Sequence, residues 1–398
     1  MLSRSHMWRI AWTFVAAVSL LGGCSNIERR LSTTAPPYVT LPNGRDPMNP
    51  ERYSALGRRS TKGLVPTLEG ELGRPLNILQ ISGGGQKGAF GAGVLVGWSE
   101  SGTRPKFDIV SGISVGALLS TFAFLGEPED DAVMAEMFTT INKDEVSRKG
   151  GFLRFMFGGI STMDSEPFAE MLRKYITQQT LDRIAAEARK GRLLYVGLLN
   201  LDYRQLWIVD LTALAASGEA DALDTYRKVL QAAASPPLLL PPVEIKGFLF
   251  GDGGTRDRLL VVGLTGPRED LSLPASAGGG EIYVIFNDKS RQQPRAVTPD
   301  LMGIISSNLQ SMLHAQMETT LLRAYGIAQA YDYRFNLMKI PDSFPLGHDS
   351  LAFDPGEMRA LFEKGRTLGR GPSSWLTTPP AGQNISPWII KIVSELRD

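Results

Sequence analysis

The chain has 398 residues, 43% hydrophobic and 21% charged, a balance that excludes a disordered or fibrous protein. Its 42 Lys and Arg against 41 Asp and Glu give a net charge of +1, and no basic run is dense enough for a nucleic-acid patch, so no nucleic-acid partner is expected. Cys24 is the single cysteine, which excludes an intramolecular disulfide and leaves the fold to stand on its core.

The N-terminus reads as a targeting segment. Arg4 and Arg9 precede an apolar run from Ile10 to Leu21 that is short for a membrane span, and the run ends in Leu21-Gly22-Gly23-Cys24. This resembles the lipobox of bacterial lipoproteins, in which the cysteine is lipidated and becomes the new N-terminus. The resemblance implies a signal peptide over 1–23 and a membrane partner reached through lipidated Cys24. Ser25 stands where an Asp would suggest inner-membrane retention, so the expected location is the outer membrane of a bacterial envelope. An ordinary signal peptide or uncleaved anchor with an unrelated cysteine is the alternative.

Residues 24–75, rich in Pro, Gly, Arg and Ser, read as a tether and lead-in. Regular structure is expected from Leu76–Ser82, a strand ending in glycines, followed by a helix over Gly88–Glu100, a strand over Phe107–Ser111 and a helix from Val115 to Leu125. Strand, helix, strand, helix implies a parallel sheet covered on both faces. Helical patterns recur near 130–141, 165–178 and 181–190. The runs Leu193–Leu199 and Gln205–Leu211 read as strands joined by a turn, Val243–Phe250 as a hairpin, and Ile282–Phe286 as another strand. A long helix over 300–329, a strand over Asp332–Ile340 and a helix over 355–367 complete the pattern. The expected division is a catalytic domain over 76–290 and a C-terminal extension over 291–398 packed on the same domain.

Three motifs carry chemistry. Gly112-Ile113-Ser114-Val115-Gly116 has the G-x-S-x-G form of a nucleophile elbow, in which a sharp strand-to-helix turn forces the serine outward. Alone the pattern is close to what a glycine-rich chain yields by chance; a strand before it and a helix after it raise its weight. Gly83-Gly84-Gly85-Gln86-Lys87-Gly88 opens the first helix, and bare backbone amides there can cradle a phosphate or an oxyanion. The spacing is not that of a phosphate-binding loop, and no acidic residue ends a second strand as a dinucleotide site requires. Lys87 either fixes the loop or adds positive charge near an anionic lipid. The third motif is Asp252-Gly253-Gly254, a common turn by itself and a candidate base beside Ser114.

The histidines bear on that role. His6 lies in the targeting segment, His314 in the long helix and His348 in a polar loop. The order Ser114, Asp252, then a histidine is that of an α/β-hydrolase triad, so a triad stays open beside a dyad in which Asp252 itself takes the serine proton. The apolar stretch Phe152–Phe157 reads as core or as a cap that meets lipid.

Taken together, the three motifs in this order resemble the patatin-like phospholipase family: a glycine-rich G-G-G-x-[RK]-G loop, then G-x-S-x-G, then D-G-[GA]. Ala234-Ser235-Pro236-Pro237 through Pro241-Pro242 looks like a variant of the family segment before the Asp, and Ser82 replaces an Asp often found before the glycines. The resemblance covers roughly residues 76 to 260. It implies a three-layer α/β/α sandwich with a parallel-rich central sheet, Ser114 as nucleophile and Asp252 as base. It also implies an oxyanion hole from the amides of Gly84, Gly85 and Gln86, and hydrolysis of lipid or other ester substrates without metal or cofactor. The remaining alternatives are a serine esterase or peptidase with a Ser-His-Asp triad, and a non-catalytic envelope lipoprotein that keeps the fold.

Overall fold

Short strands that are apolar on both faces must be covered on both faces. The computed structural model describes residues 32–41, 45–49, 64–140, 148–149, 163–237, 240–261, 278–291, 296–347 and 353–380. Cys24, His6, His348 and Phe152–Phe157 lie outside the described residues.

Along the chain run β1 (Val39–Thr40), α1 (Leu64–Leu72), β2 (Asn77–Ile81), α2 (Gly88–Glu100), β3 (Ile109–Ile113), α3 (Val115–Leu125) and α4 (Pro128–Thr140). A small ladder of β4 (Arg148–Lys149) and β5 (Met163–Asp164) leads to α5 (Glu166–Tyr175) and α6 (Gln178–Ala188). Next come β6 (Leu193–Asn200), β7 (Gln205–Asp210), α7 (Leu211–Ala215), α8 (Ala222–Ala233), β8 (Val243–Ile245) and β9 (Phe248–Asp252). The chain continues with β10 (Glu281–Phe286), α9 (Leu301–Ala330), β11 (Arg334–Lys339) and α10 (Pro355–Gly369).

The main sheet has the order β1-β7-β6-β3-β2-β10-β11, with β9 also on β6 and β8 on β9. From β6 through β3, β2 and β10 to β11 every pair is parallel, while β7 and β9 run antiparallel to β6. Period-2 alternation sends Ile78 to one face, among Leu64, Leu68, Leu321 and Ala324, and Leu79 and Ile81 to the other, among Phe90, Leu95 and Leu119. The result is the expected α/β/α sandwich with a mostly parallel sheet.

Several elements escape a reading by pattern, and α1 and α8 are the longest of them. The stretch 64–72, taken from its Pro and Gly as lead-in, is the helix α1. Its Leu64 and Leu68 are each 1% exposed, and burial of a side chain of that size contributes roughly 1.5–3 kcal/mol, so α1 belongs to the core. Helix α8 was missed as well, although Tyr226, Val229, Leu230 and Ala233 form its buried stripe. No helix among the described residues is long and apolar enough to cross a membrane.

Candidate active site

The site is built on one edge of β6. β7 occupies the opposite edge, pairing Tyr195 to Asn200 with Asp210 to Gln205. On the free edge β3 runs parallel up to Ile113, which pairs with Gly197, and β9 comes antiparallel down to Asp252, which pairs with Leu198. The two strands therefore end head to head on consecutive residues of β6. Ser114 follows Ile113 directly, and its Oγ donates to Asp252 Oδ2 at 2.8 Å.

That meeting demands close backbone approach. A Cβ on Gly197 would lie 2.4 Å from Ile113 Cδ1, and one on Gly253 would lie 2.4 Å from the Gly197 carbonyl oxygen. Ser114 itself has φ 55° and ψ −129°, a conformation that costs a non-glycine residue on the order of 1–3 kcal/mol and turns its side chain out at the N-terminus of α3. The motif glycines let that helix start so close to the sheet. A Cβ on Gly112 would stand 2.2 Å from the Gly116 oxygen, and one on Gly116 2.3 Å from the Ile81 oxygen.

The glycine loop packs against the same elbow. A Cβ on Gly83 would be 3.0 Å from Ser114 Cβ, and one on Gly88 would be 2.4 Å from Val115 Cγ2. Gly85 has φ +58°, and Gly85–Lys87 form one 3-10 turn leading into α2. Among the described residues the amides of Gly84 and Gly85 donate to no acceptor, as oxyanion donors require. The Gln86 side chain, 1% exposed, turns into the protein.

The loop is held from behind by residues that sequence reasoning did not single out. Gly83 N–H donates to the Arg258 oxygen at 3.1 Å. Asn287, at the end of β10, donates from its backbone to Ser82 Oγ at 2.8 Å and from Nδ2 to the Ser82 oxygen at 2.9 Å. Ser82 thus becomes a buried tie between β2 and β10. Lys87 Nζ lies 2.7 Å from Asp288 Oδ1, and Arg258 NH2 lies 3.0 Å from Asp288 Oδ2. Of the two roles open to Lys87, fixing the loop is the one the geometry carries. Burial pushes the Asp288 carboxyl up, yet Lys87 and Arg258 together hold it below the usual range. A sequence signal existed for both clusters. Gly197 interrupts a strand, which marks close backbone approach, and the polar run 287–290 follows the carboxyl end of a parallel strand, where α/β sheets place their ligands.

Asp252 is 7% exposed, and burial pushes its carboxyl up to about 6, against the pull of Gly254 N–H, Ser114 Oγ and the Arg258 charge. Gly254 N–H donates to Oδ1 at 2.7 Å, and Asp252 N–H donates to the Ser235 oxygen at 3.0 Å. The remaining motif residue, Ser235 of the Ala234–Pro242 segment, is therefore a backbone support for Asp252. His314 makes no hydrogen bond to Ser114 or Asp252, whose contact is direct. Burial lowers its pKa, the nearby charges that act on it are Asp288, Glu318, Arg258 and Lys87, and its Nε2 meets no partner among the described residues. Among the described residues no group of three or more His, Cys, Asp or Glu could hold a metal ion.

The raised pKa has a stability consequence with a definite sign. Folding places on Asp252 a pKa of about 6 against about 3.9 for an exposed aspartate, so the folded state is favoured by the neutral form. The penalty is absent below pH ~4, grows to ~6 and is constant above it, amounting to about 3 kcal/mol. Asp252→Asn, which keeps an oxygen for Gly254 N–H, should therefore raise the thermal midpoint at pH 8 and lose that advantage at pH 4. Equal midpoints at both pH values, or a gain only in acid, would contradict the assignment.

The sequence model of the patatin-like phospholipase family matches residues 79–263, a span that contains the glycine loop from Gly83, the elbow and Asp252. No curated protein matches the chain. Among solved structures, VipD from Legionella pneumophila is similar at 12% identity over 73% of this chain and 67% of that chain, with a TM-score of 0.35. Residues 79–263 of the chain therefore carry a patatin-like phospholipase domain.

Proposed function

We propose that this chain hydrolyses lipid acyl esters by a Ser-Asp dyad and that it does so while tethered to a bacterial envelope. Lipid acyl hydrolysis is the chemistry of its family. The dyad rests on one observation: the hydrogen bond from Ser114 Oγ runs straight to Asp252 Oδ2, with no imidazole between them.

In the first step Asp252 Oδ2 takes the hydroxyl proton as Ser114 Oγ attacks the acyl carbonyl carbon. The carbonyl oxygen becomes an oxyanion held by the Gly84 and Gly85 amides and by the positive end of α3. Collapse breaks the ester bond, and Asp252 returns its proton to the departing alcohol. Water then attacks the acyl-enzyme in the same way, releasing the fatty acid and restoring Ser114. A carboxyl near 6 suits both halves of this cycle, because at neutral pH it is mostly ionised yet basic enough to accept a proton.

The family chemistry is tested by fatty-acid release from phospholipid vesicles and by hydrolysis of p-nitrophenyl esters. Ser114→Ala should lower both by at least about 10³-fold, and Asp252→Asn by about 10²–10⁴-fold. His314→Ala should stay within about threefold of wild type, since general-base work is assigned elsewhere. Loss of activity in the His314 variant, with Asp252→Asn still active, would replace the dyad by a triad.

The tether rests on the lipobox-like Leu21-Gly22-Gly23-Cys24 and the basic, apolar run before it. Each buried methylene contributes roughly 0.8 kcal/mol, so two or three acyl chains on Cys24 would hold the protein durably on a leaflet, the outer membrane being favoured by Ser25. Cys24→Ser should release the protein from the membrane fraction and remove the acyl mass from its N-terminal peptide. An unchanged peptide mass and unchanged fractionation would refute lipidation.

A further inference from the structure

Three successive glycines make Gly83–Gly85 the least constrained backbone near the serine, because glycine loses more conformational freedom on ordering than any other residue. Oxyanion donors must be held within about 0.5 Å of their working positions. Ser82, Asn287 and Arg258 hold the loop at its β2 end. At its other end the ties are the Lys87–Asp288 ion pair and the buried side chain of Gln86.

Both ends of the buried Gln86 carboxamide are engaged by the C-terminal helix. Its Oε1 accepts from the Asp354 amide at 2.9 Å, and its Nε2 donates to Glu357 Oε2 at 3.1 Å. Glu357 Oε1 in turn accepts from the Gly347 amide at 2.8 Å. Asp354 caps α10 by accepting from the Glu357 amide at 2.7 Å, so the partners of Gln86 are fixed to each other as well.

Helix α10 is a firm support because it lies backbone to backbone on α2, the helix that the glycine loop opens. A Cβ on Gly93 would stand 1.9 Å from the Phe362 oxygen, and one on Gly97 2.0 Å from the Arg366 oxygen. From the other side a Cβ on Gly365 would be 2.1 Å from the Phe90 oxygen, and one on Gly369 2.3 Å from the Val94 oxygen. Arg366 and Arg370 close the far end on Glu100, at 2.5 and 2.6 Å. All of α10 lies outside residues 79–263, the span that the family model matches.

We propose that Gln86 is a positioning residue through which α10 sets the geometry of the Gly84 and Gly85 donors, an inference that rests on the acyl-hydrolase reading of Ser114. A residue that only filled space there would be replaceable by leucine, whereas a residue that aims donors affects turnover more than binding.

The test measures kcat, KM and thermal midpoint of the full chain on a p-nitrophenyl ester. Gln86→Leu should lower kcat about 10-fold or more with KM within about twofold, since small misplacements at a reacting centre are costly. Gln86→Glu should fall similarly, because it sets two carboxylates face to face. The exchange Gln86→Glu with Glu357→Gln recreates one donor and one acceptor, and should return kcat to within about threefold of wild type. Arg366→Ala, which weakens α10 at its far end, should lower the thermal midpoint and leave kcat in place. A normal kcat in Gln86→Leu, failure of the exchange to restore it, or a kcat in Arg366→Ala that falls as far would each overturn the proposal. Ser114→Ala, run alongside, separates the two levels: wild-type activity that survives it overturns the hydrolase reading and this inference together.

Discussion

Everything at the site depends on one geometric constraint: two strands of opposite direction end on adjacent residues of the same edge of β6. Ile113 sits beside Gly197 and Asp252 beside Leu198. A parallel strand and an antiparallel strand can share an edge only if each stops where the other begins. Their ends then face each other on neighbouring residues of β6. Ser114 follows from one side and the Asp252 side chain reaches it from the other. No loop has to carry either group to the other, so the 2.8 Å contact is a product of sheet register.

The same constraint explains where the glycines fall. Backbones this close leave no room for Cβ atoms at Gly112, Gly116, Gly197 and Gly253, each of which would meet main chain or a buried side chain within 2.5 Å. It also explains why the strained serine is tolerated: Ser114 is pinned by β3 before it, α3 after it and the Asp252 hydrogen bond beside it. A carboxylate buried at such a junction is unfavourable for stability, and the penalty is what makes it basic near neutral pH. Stability and reactivity are opposed at Asp252, as is common at active sites.

Much of this was legible in the sequence. The strand–glycine loop–helix and strand–Ser114–helix units could be read from apolar runs and glycine spacing, because both are local. Asp252 could be named from its Gly-Gly neighbours only together with the other motifs. The parts that escaped reading are non-local. Arg258, Asn287 and Asp288 support the loop across 175 or more residues of chain, and no spacing rule links them to Gly83 or Lys87. Gln86 could be read as a loop amide, while its side chain answers to Asp354 and Glu357, 268 and 271 positions away. Helix α1 was hidden because Pro66 and Gly70 suggested a tether, and only packing reveals that Leu64, Val65 and Leu68 form a stripe.

The central claim is that Ser114 is activated by a buried Asp252 without help from histidine. It is tested most directly by the pH dependence of covalent labelling of Ser114 with a fluorophosphonate, followed by peptide mass. The account predicts a single adduct on Ser114 whose rate rises with pH through about 6, is unchanged in His314→Ala and is lost in Asp252→Asn. An adduct on another residue, or a rate that keeps its value in Asp252→Asn, would contradict it.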